Sequence, residues 1–142
     1  MQKFLEKAKG IYNEGDYLAI RYAVDFAYEK HKGQKRASGE DYIIHPLSVA
    51  DILIDLNMDS DTVIASLLHD VIEDTDISEE EIKSKFGAKI EQLVAGVTKL
   101  TRISVKETEE EKEAENIRRL FLAMSADIRV LLIKLADRLH NM

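Results

Sequence analysis

The 142 residues contain no cysteine, so a disulfide framework, a thiolate zinc site and a cysteine nucleophile are excluded, and the chain suits a reducing compartment. One proline and six glycines are too few turn residues for a β-sandwich, and tryptophan is absent. No run approaches the ~20 apolar residues of a membrane span, and the residues after Met1, Gln2-Lys3-Phe4-Leu5-Glu6, form no apolar signal region. The expectation is a soluble cytoplasmic chain with no membrane partner. Basic charge is also short. Lys and Arg number 20 against 27 Asp and Glu, a net charge of −7, which argues against a nucleic acid partner. What the chain does have is 45% hydrophobic residues, enough for the packed core of one domain and too many for disorder.

Apolar spacing predicts an all-α fold. Asp16 is a plausible N-cap for a helix through Tyr17, Ile20, Val24, Phe26 and Ala27, with Gly33 at its C-terminal end. A loop from Gln34 through Glu40 follows, and Pro46 opens the next helix, to about Leu56. Further helices are expected from Ser60 to Glu73, after the capping box Ser78-Glu79-Glu80-Glu81 as far as Gly87, over 88–101, and from Asp127 to His140. The Glu-rich stretch from Lys106 to Asn116 reads as a solvated helix start or a link, without chemistry of its own.

Two of these helices are apolar nearly all round, Val63 to Ile72 and Ile128 to Ala136, so both are expected to be central. Yet His69-Asp70 lies in the first and Asp137 closes the second. A buried carboxylate is costly unless it is paired or holds a cation, and a metal site is the simplest resolution. His69 and Asp70 diverge by about 100° on a helix but can both reach an ion off its flank. Asp137 can approach from the other central helix, and His45, just before Pro46, from a loop end. Two imidazoles and two carboxylates suit Mn, Fe or Zn.

Glu73 and Asp74 recur one turn after His69 and Asp70, and Asp76 adds a further acid. Acids at a helix C-terminus oppose its dipole, so water activation or proton shuttling explains them better than local stability. Asn141, four residues after Asp137, can hydrogen-bond a ligand beside the metal. Taken singly, each of these residues has an ordinary explanation as a core histidine, an ion pair or a loop acid. Together they would require several coincidences. His31 reads as a helix-end residue, and His140 as either a supporting residue or an exposed one. Lys30, Lys32, Lys35 and Arg36 cluster around His31, a local charge that fits a small phosphorylated ligand. Gly10 and Gly15 have the P-loop spacing but are followed by Asp16-Tyr17, and no Gly-x-Ser-x-Gly elbow occurs.

Four ordered segments, Arg36 to Pro46, Leu68 to Thr75, Gly96 to Leu100 and Lys134 to Met142, closely resemble the HD hydrolase domain of RelA/SpoT-type guanosine tetraphosphate enzymes. The resemblance covers nearly the whole chain from about Asp16. It implies an all-α HD helical bundle holding one Mn²⁺ and hydrolysing the 3′-diphosphate of (p)ppGpp to GDP or GTP plus pyrophosphate. By motif, His45, His69, Asp70 and Asp137 are the metal ligands, and Glu73 and Asp74 the pair that activates water. Arg36 and Ser38 match the guanine-side loop, and Asn141 a nucleotide-contacting Asn. Lys35 and Arg36, with Lys99, would offset phosphate charge.

Ala37 and Asp41 stand where the family often has a basic residue and a proline, which is expected to weaken contacts to base or phosphate and to change loop rigidity. The family continues beyond Met142 with helices that help close the pocket. The expectation is therefore a single HD phosphohydrolase domain over 1–142, shortened at its C-terminal end and ahead of a synthetase domain. Leu132, Leu135 and Leu139 would then form an uncovered stripe prone to self-association. Two alternatives stay open: an HD phosphohydrolase for another nucleotide, and a non-catalytic HD module that binds nucleotide or regulates an attached synthetase.

Overall fold

Local capping sets where the helices begin. In the computed structural model, which describes residues 1–33, 39, 41–75, 77–103 and 128–141, the elements are α1 Gln2–Ile11, α2 Glu14–His31, α3 Ile44–Asp55, α4 Ser60–Asp74, α5 Glu79–Phe86, α6 Ala88–Ile103 and α7 Ile128–Asn141. No strand occurs among the described residues. The Asn13 side chain accepts from the Asp16 N–H at 2.7 Å, so the cap of α2 lies three residues before the expected one, and Asp16 is the residue being capped. Ser78 Oγ accepts from the Glu81 N–H at 3.2 Å and opens α5 as expected. That helix stops at Gly87, whose φ of 101° few other residues adopt.

Two differences from the expected boundaries matter. The first is α1, which went unexpected because its buried stripe is only Phe4 and Ala8. It is fastened to α3 by Lys7, which bonds Asp51 at 2.7 Å and Asp55 at 2.5 Å. The second is the start of α3 at Ile44, which makes Pro46 its third residue. A proline is tolerated there because the first four helical N–H groups have no partner within the helix. His45 therefore lies inside the first turn of α3 rather than on a loop end.

α4 is the axis of the domain. Val63, Ala65, Leu67, Leu68 and Val71 are fully buried, and α2, α3, α6 and α7 all pack around the helix. α7 is enclosed more on one side. Val130, Ile133 and Ala136 are buried against α3, α4 and α6, whereas Ile128, Leu135 and Leu139 are 54%, 48% and 60% exposed. Leu132 instead packs against the core. The approach of α7 to α6 depends on Gly96, where an added Cβ would lie 2.9 Å from Val130 Cγ2. No helix of the described residues is long and apolar enough to cross a membrane. The stretch Lys106 to Asn116 lies outside the described residues.

Candidate metal centre

Three helices meet at one buried point. α3 brings His45 in its first turn, α4 brings His69 and Asp70 near its C-terminal end, and α7 brings Asp137. All four are buried. Because α4 is enclosed on every side, neither member of the His69-Asp70 dipeptide can turn to solvent. Apolar packing thus forces the polar groups together.

The distances describe one cluster. His45 Nε2 lies 2.6 Å from Asp137 Oδ1 and 3.8 Å from Asp70 Oδ2. His69 Nε2 lies 3.2 Å from Asp70 Oδ1 and 3.6 Å from Asp137 Oδ1. His45, Asp70 and Asp137 each offer a ligand atom within 4.8 Å of the others'. His69 Nδ1 is 2.8 Å from the Ser66 carbonyl oxygen, which can only accept, so Nδ1 donates and Nε2 faces the cluster.

The electrostatics are those of two buried acids that draw positive charge onto the imidazole between them. Burial disfavours a charged His69, but the charge of Asp70 and the contact with Asp137 outweigh it and raise its pKa to about 9. Burial likewise disfavours a charged Asp137, and hydrogen bonding to His45 and His69 reverses that, holding its carboxyl well below the usual carboxylate range. Lys134 Nζ adds a positive charge 3.7 Å from Asp137 Oδ2. Asp70 Oδ2 is buried and has no hydrogen-bond partner among the described residues. An oxygen in that position costs free energy as it stands and gains a partner when a cation binds. Together with the mixed nitrogen and oxygen donors, it makes the four residues a fit for a divalent ion.

Of the expected site residues, His45, His69, Asp70 and Asp137 are brought together. Glu73 and Asp74 end α4 one turn beyond His69 and Asp70, and Asn141 ends α7 four residues after Asp137. Only the backbone of these three is described. Lys35, Arg36, Ser38 and Asp76 lie outside the described residues. Lys99 is exposed on α6 and takes no part in the contacts of the described cluster. His31 ends α2 as expected but is buried, with its ring stacked on Tyr42 at 4.6 Å. One contributor, Lys134, was not singled out from the sequence, and His140, expected to be either supporting or exposed, contacts His45. Lys134 and His140 lie three residues before and after Asp137, the spacing at which helical neighbours share a face. His140 Nδ1 lies 2.5 Å from His45 Nδ1.

The HD domain family matches residues 23–142. A probable guanosine-3′,5′-bis(diphosphate) 3′-pyrophosphohydrolase of Synechocystis is 56% identical over 126 residues, 89% of this chain and 16% of that protein. The guanosine-3′,5′-bis(diphosphate) 3′-pyrophosphohydrolase of Haemophilus influenzae is 53% identical over 116 residues, 82% of this chain and 17% of that protein. A GTP pyrophosphokinase of Myxococcus xanthus is 50% identical over 129 residues. The chain thus spans 16% and 17% of the length of the first two curated relatives. A solved structure of a metazoan orthologue of SpoT, described as hydrolysing ppGpp and acting in starvation responses, has a TM-score of 0.68 at 32% identity. It aligns with 87% of this chain over 67% of its own.

Proposed function

The chain belongs to the HD domain family, and on that premise we propose that it acts as a divalent-metal-dependent (p)ppGpp 3′-pyrophosphohydrolase. Water and (p)ppGpp would give pyrophosphate and GDP or GTP with a free 3′ hydroxyl. The observation that carries the proposal is the buried Asp70 oxygen without a hydrogen-bond partner among the described residues, set among His45, His69 and Asp137. The relatives that carry this activity in their names support the choice of nucleotide.

In this reading His45, His69, Asp70 and Asp137 hold one Mn²⁺. When bound, the ion supplies a Lewis acid for the phosphoryl group and makes water more acidic. Glu73 and Asp74 take up the proton that water loses. Lys35, Arg36 and Lys99 offset phosphate charge, Arg36 and Ser38 face the guanine, and Asn141 hydrogen-bonds the nucleotide. The setting is cytoplasmic, in a longer protein carrying a synthetase domain, in line with the relative named a GTP pyrophosphokinase. The exposed Ile128, Leu135 and Leu139 support self-association along α7.

The test is incubation with ppGpp, with and without Mn²⁺, followed by separation of products. GDP and pyrophosphate formed only with the ion support the proposal. Intact ppGpp alongside Mn²⁺-loaded protein, or release of inorganic phosphate instead, refutes it.

A further inference from the structure

The ring of His45 is held on both sides by one helix. Asp137 of α7 meets its Nε2 at 2.6 Å, and His140, one turn later, meets its Nδ1 at 2.5 Å. The two rings lie 4.7 Å apart between centroids and 34° from parallel. The outer side of His140 lines an open groove between α1 and α3, about 580 Å³ in volume, whose other walls include Phe4, Leu47 and Ser48. His140 thus stands between the buried cluster and the surface, on a nitrogen that no metal ligand uses.

We propose that His140 is a positioning residue that sets the orientation and tautomer of His45 and so tunes the affinity of the centre for its divalent ion. The inference rests on the metal reading above and extends it to a residue outside the ligand set.

Hydrogen-bond chemistry gives the reason for a histidine there. A carboxylate oxygen only accepts, so where His45 Nε2 bonds Asp137 it donates, and a neutral His45 ring then presents Nδ1 as an acceptor. When Nε2 instead faces a cation, the ring's single proton lies on Nδ1, which must donate. The partner of Nδ1 has to accept in one state and donate in the other. A backbone carbonyl or a carboxylate performs only the first role, whereas an imidazole nitrogen performs both by exchanging tautomers. The i, i+3 spacing from Asp137 places both partners of His45 on one face of α7, so the ring turns only if the helix moves.

The experiment compares the parent chain with His140→Leu, His140→Phe and His140→Asn. Leucine removes the hydrogen bond, and phenylalanine removes it while keeping a ring against His45, so a folding failure of one leaves the other. Asparagine supplies both an acceptor and a donor near the position of Nδ1. Mn²⁺ titration of the metal-free proteins by calorimetry should show affinity lowered about 10- to 100-fold in the leucine and phenylalanine variants and near parental in the asparagine variant. Ring ¹⁵N–¹H spectra of the Zn²⁺-loaded proteins should show the His45 Nδ1–H proton protected from exchange with water in the parent and the asparagine variant, and exchanging faster in the leucine and phenylalanine variants. Parental affinity without the hydrogen bond, or an asparagine variant as weak as leucine, overturns the inference while leaving the metal centre intact. A parent chain that binds no divalent ion removes the metal reading itself, and the inference with it.

Discussion

Gly96 is far from any ligand in sequence, yet substituting it should weaken the metal centre. An added Cβ would lie 2.9 Å from Val130 Cγ2 and 3.4 Å from Cγ1, whereas carbon atoms rest at about 3.5–4.0 Å. Val130 is buried and β-branched, so it cannot swing aside. In Gly96→Ala, α7 must therefore move off α6. Overpacking of this kind costs about 1–3 kcal/mol, while replacing glycine by alanine inside a helix returns about 1 kcal/mol. The net expectation is a loss of up to about 2 kcal/mol, or roughly 3 °C in thermal midpoint per kcal/mol lost. Asp137 follows Val130 by two turns on α7, so the displacement carries to the cluster, and Mn²⁺ affinity should fall several-fold. Thermal unfolding followed by circular dichroism and a Mn²⁺ titration measure the two effects. Combining Gly96→Ala with Val130→Ala should cost less than the sum of the single changes, by about 0.5 kcal/mol or more, because the smaller side chain leaves room for the new methyl group. A Gly96→Ala protein about 1 kcal/mol more stable than the parent, with unchanged affinity, would show that helix propensity governs the site and that the close approach does not constrain α7.

The remaining expectations concern the site directly. Asp137→Ala should abolish Mn²⁺ binding, because it leaves His45 Nε2 without its 2.6 Å partner and removes one ligand; calorimetry decides, and parental affinity would refute the four-ligand assignment. Glu73→Gln and Asp74→Asn should keep fold and metal while slowing ppGpp hydrolysis by ~100-fold or more, and parental turnover in both would make them ordinary helix-end acids. Leu135→Lys together with Leu139→Lys should remove concentration-dependent association in sedimentation without lowering Mn²⁺ affinity. A parent chain that sediments as a monomer at every concentration contradicts self-association along α7.

Much was legible along the chain because the signals are local. Helical periodicity marks α2 to α7, Ser78 and Gly87 bound α5, and the misplacement of acids in apolar helices exposes Asp70 and Asp137. Local patterns also carried the resemblance to RelA/SpoT-type enzymes, which the relatives bear out. α1 escaped notice because two buried residues make too short a stripe. The start of α3 was displaced because a proline in any position of the first turn costs the same missing N–H.

Tertiary structure alone decided the rest. The sequence by itself determined which polar residues apolar surroundings keep from water: two imidazoles and two carboxylates. It did not determine that His45 enters from within a helix, that α7 reaches α6 only over Gly96, or that His140 closes the far side of the His45 ring. Those depend on distances between residues as many as 95 positions apart. Periodicity fixes which face of a helix is buried; only the packing of one helix on another settles which atoms meet there.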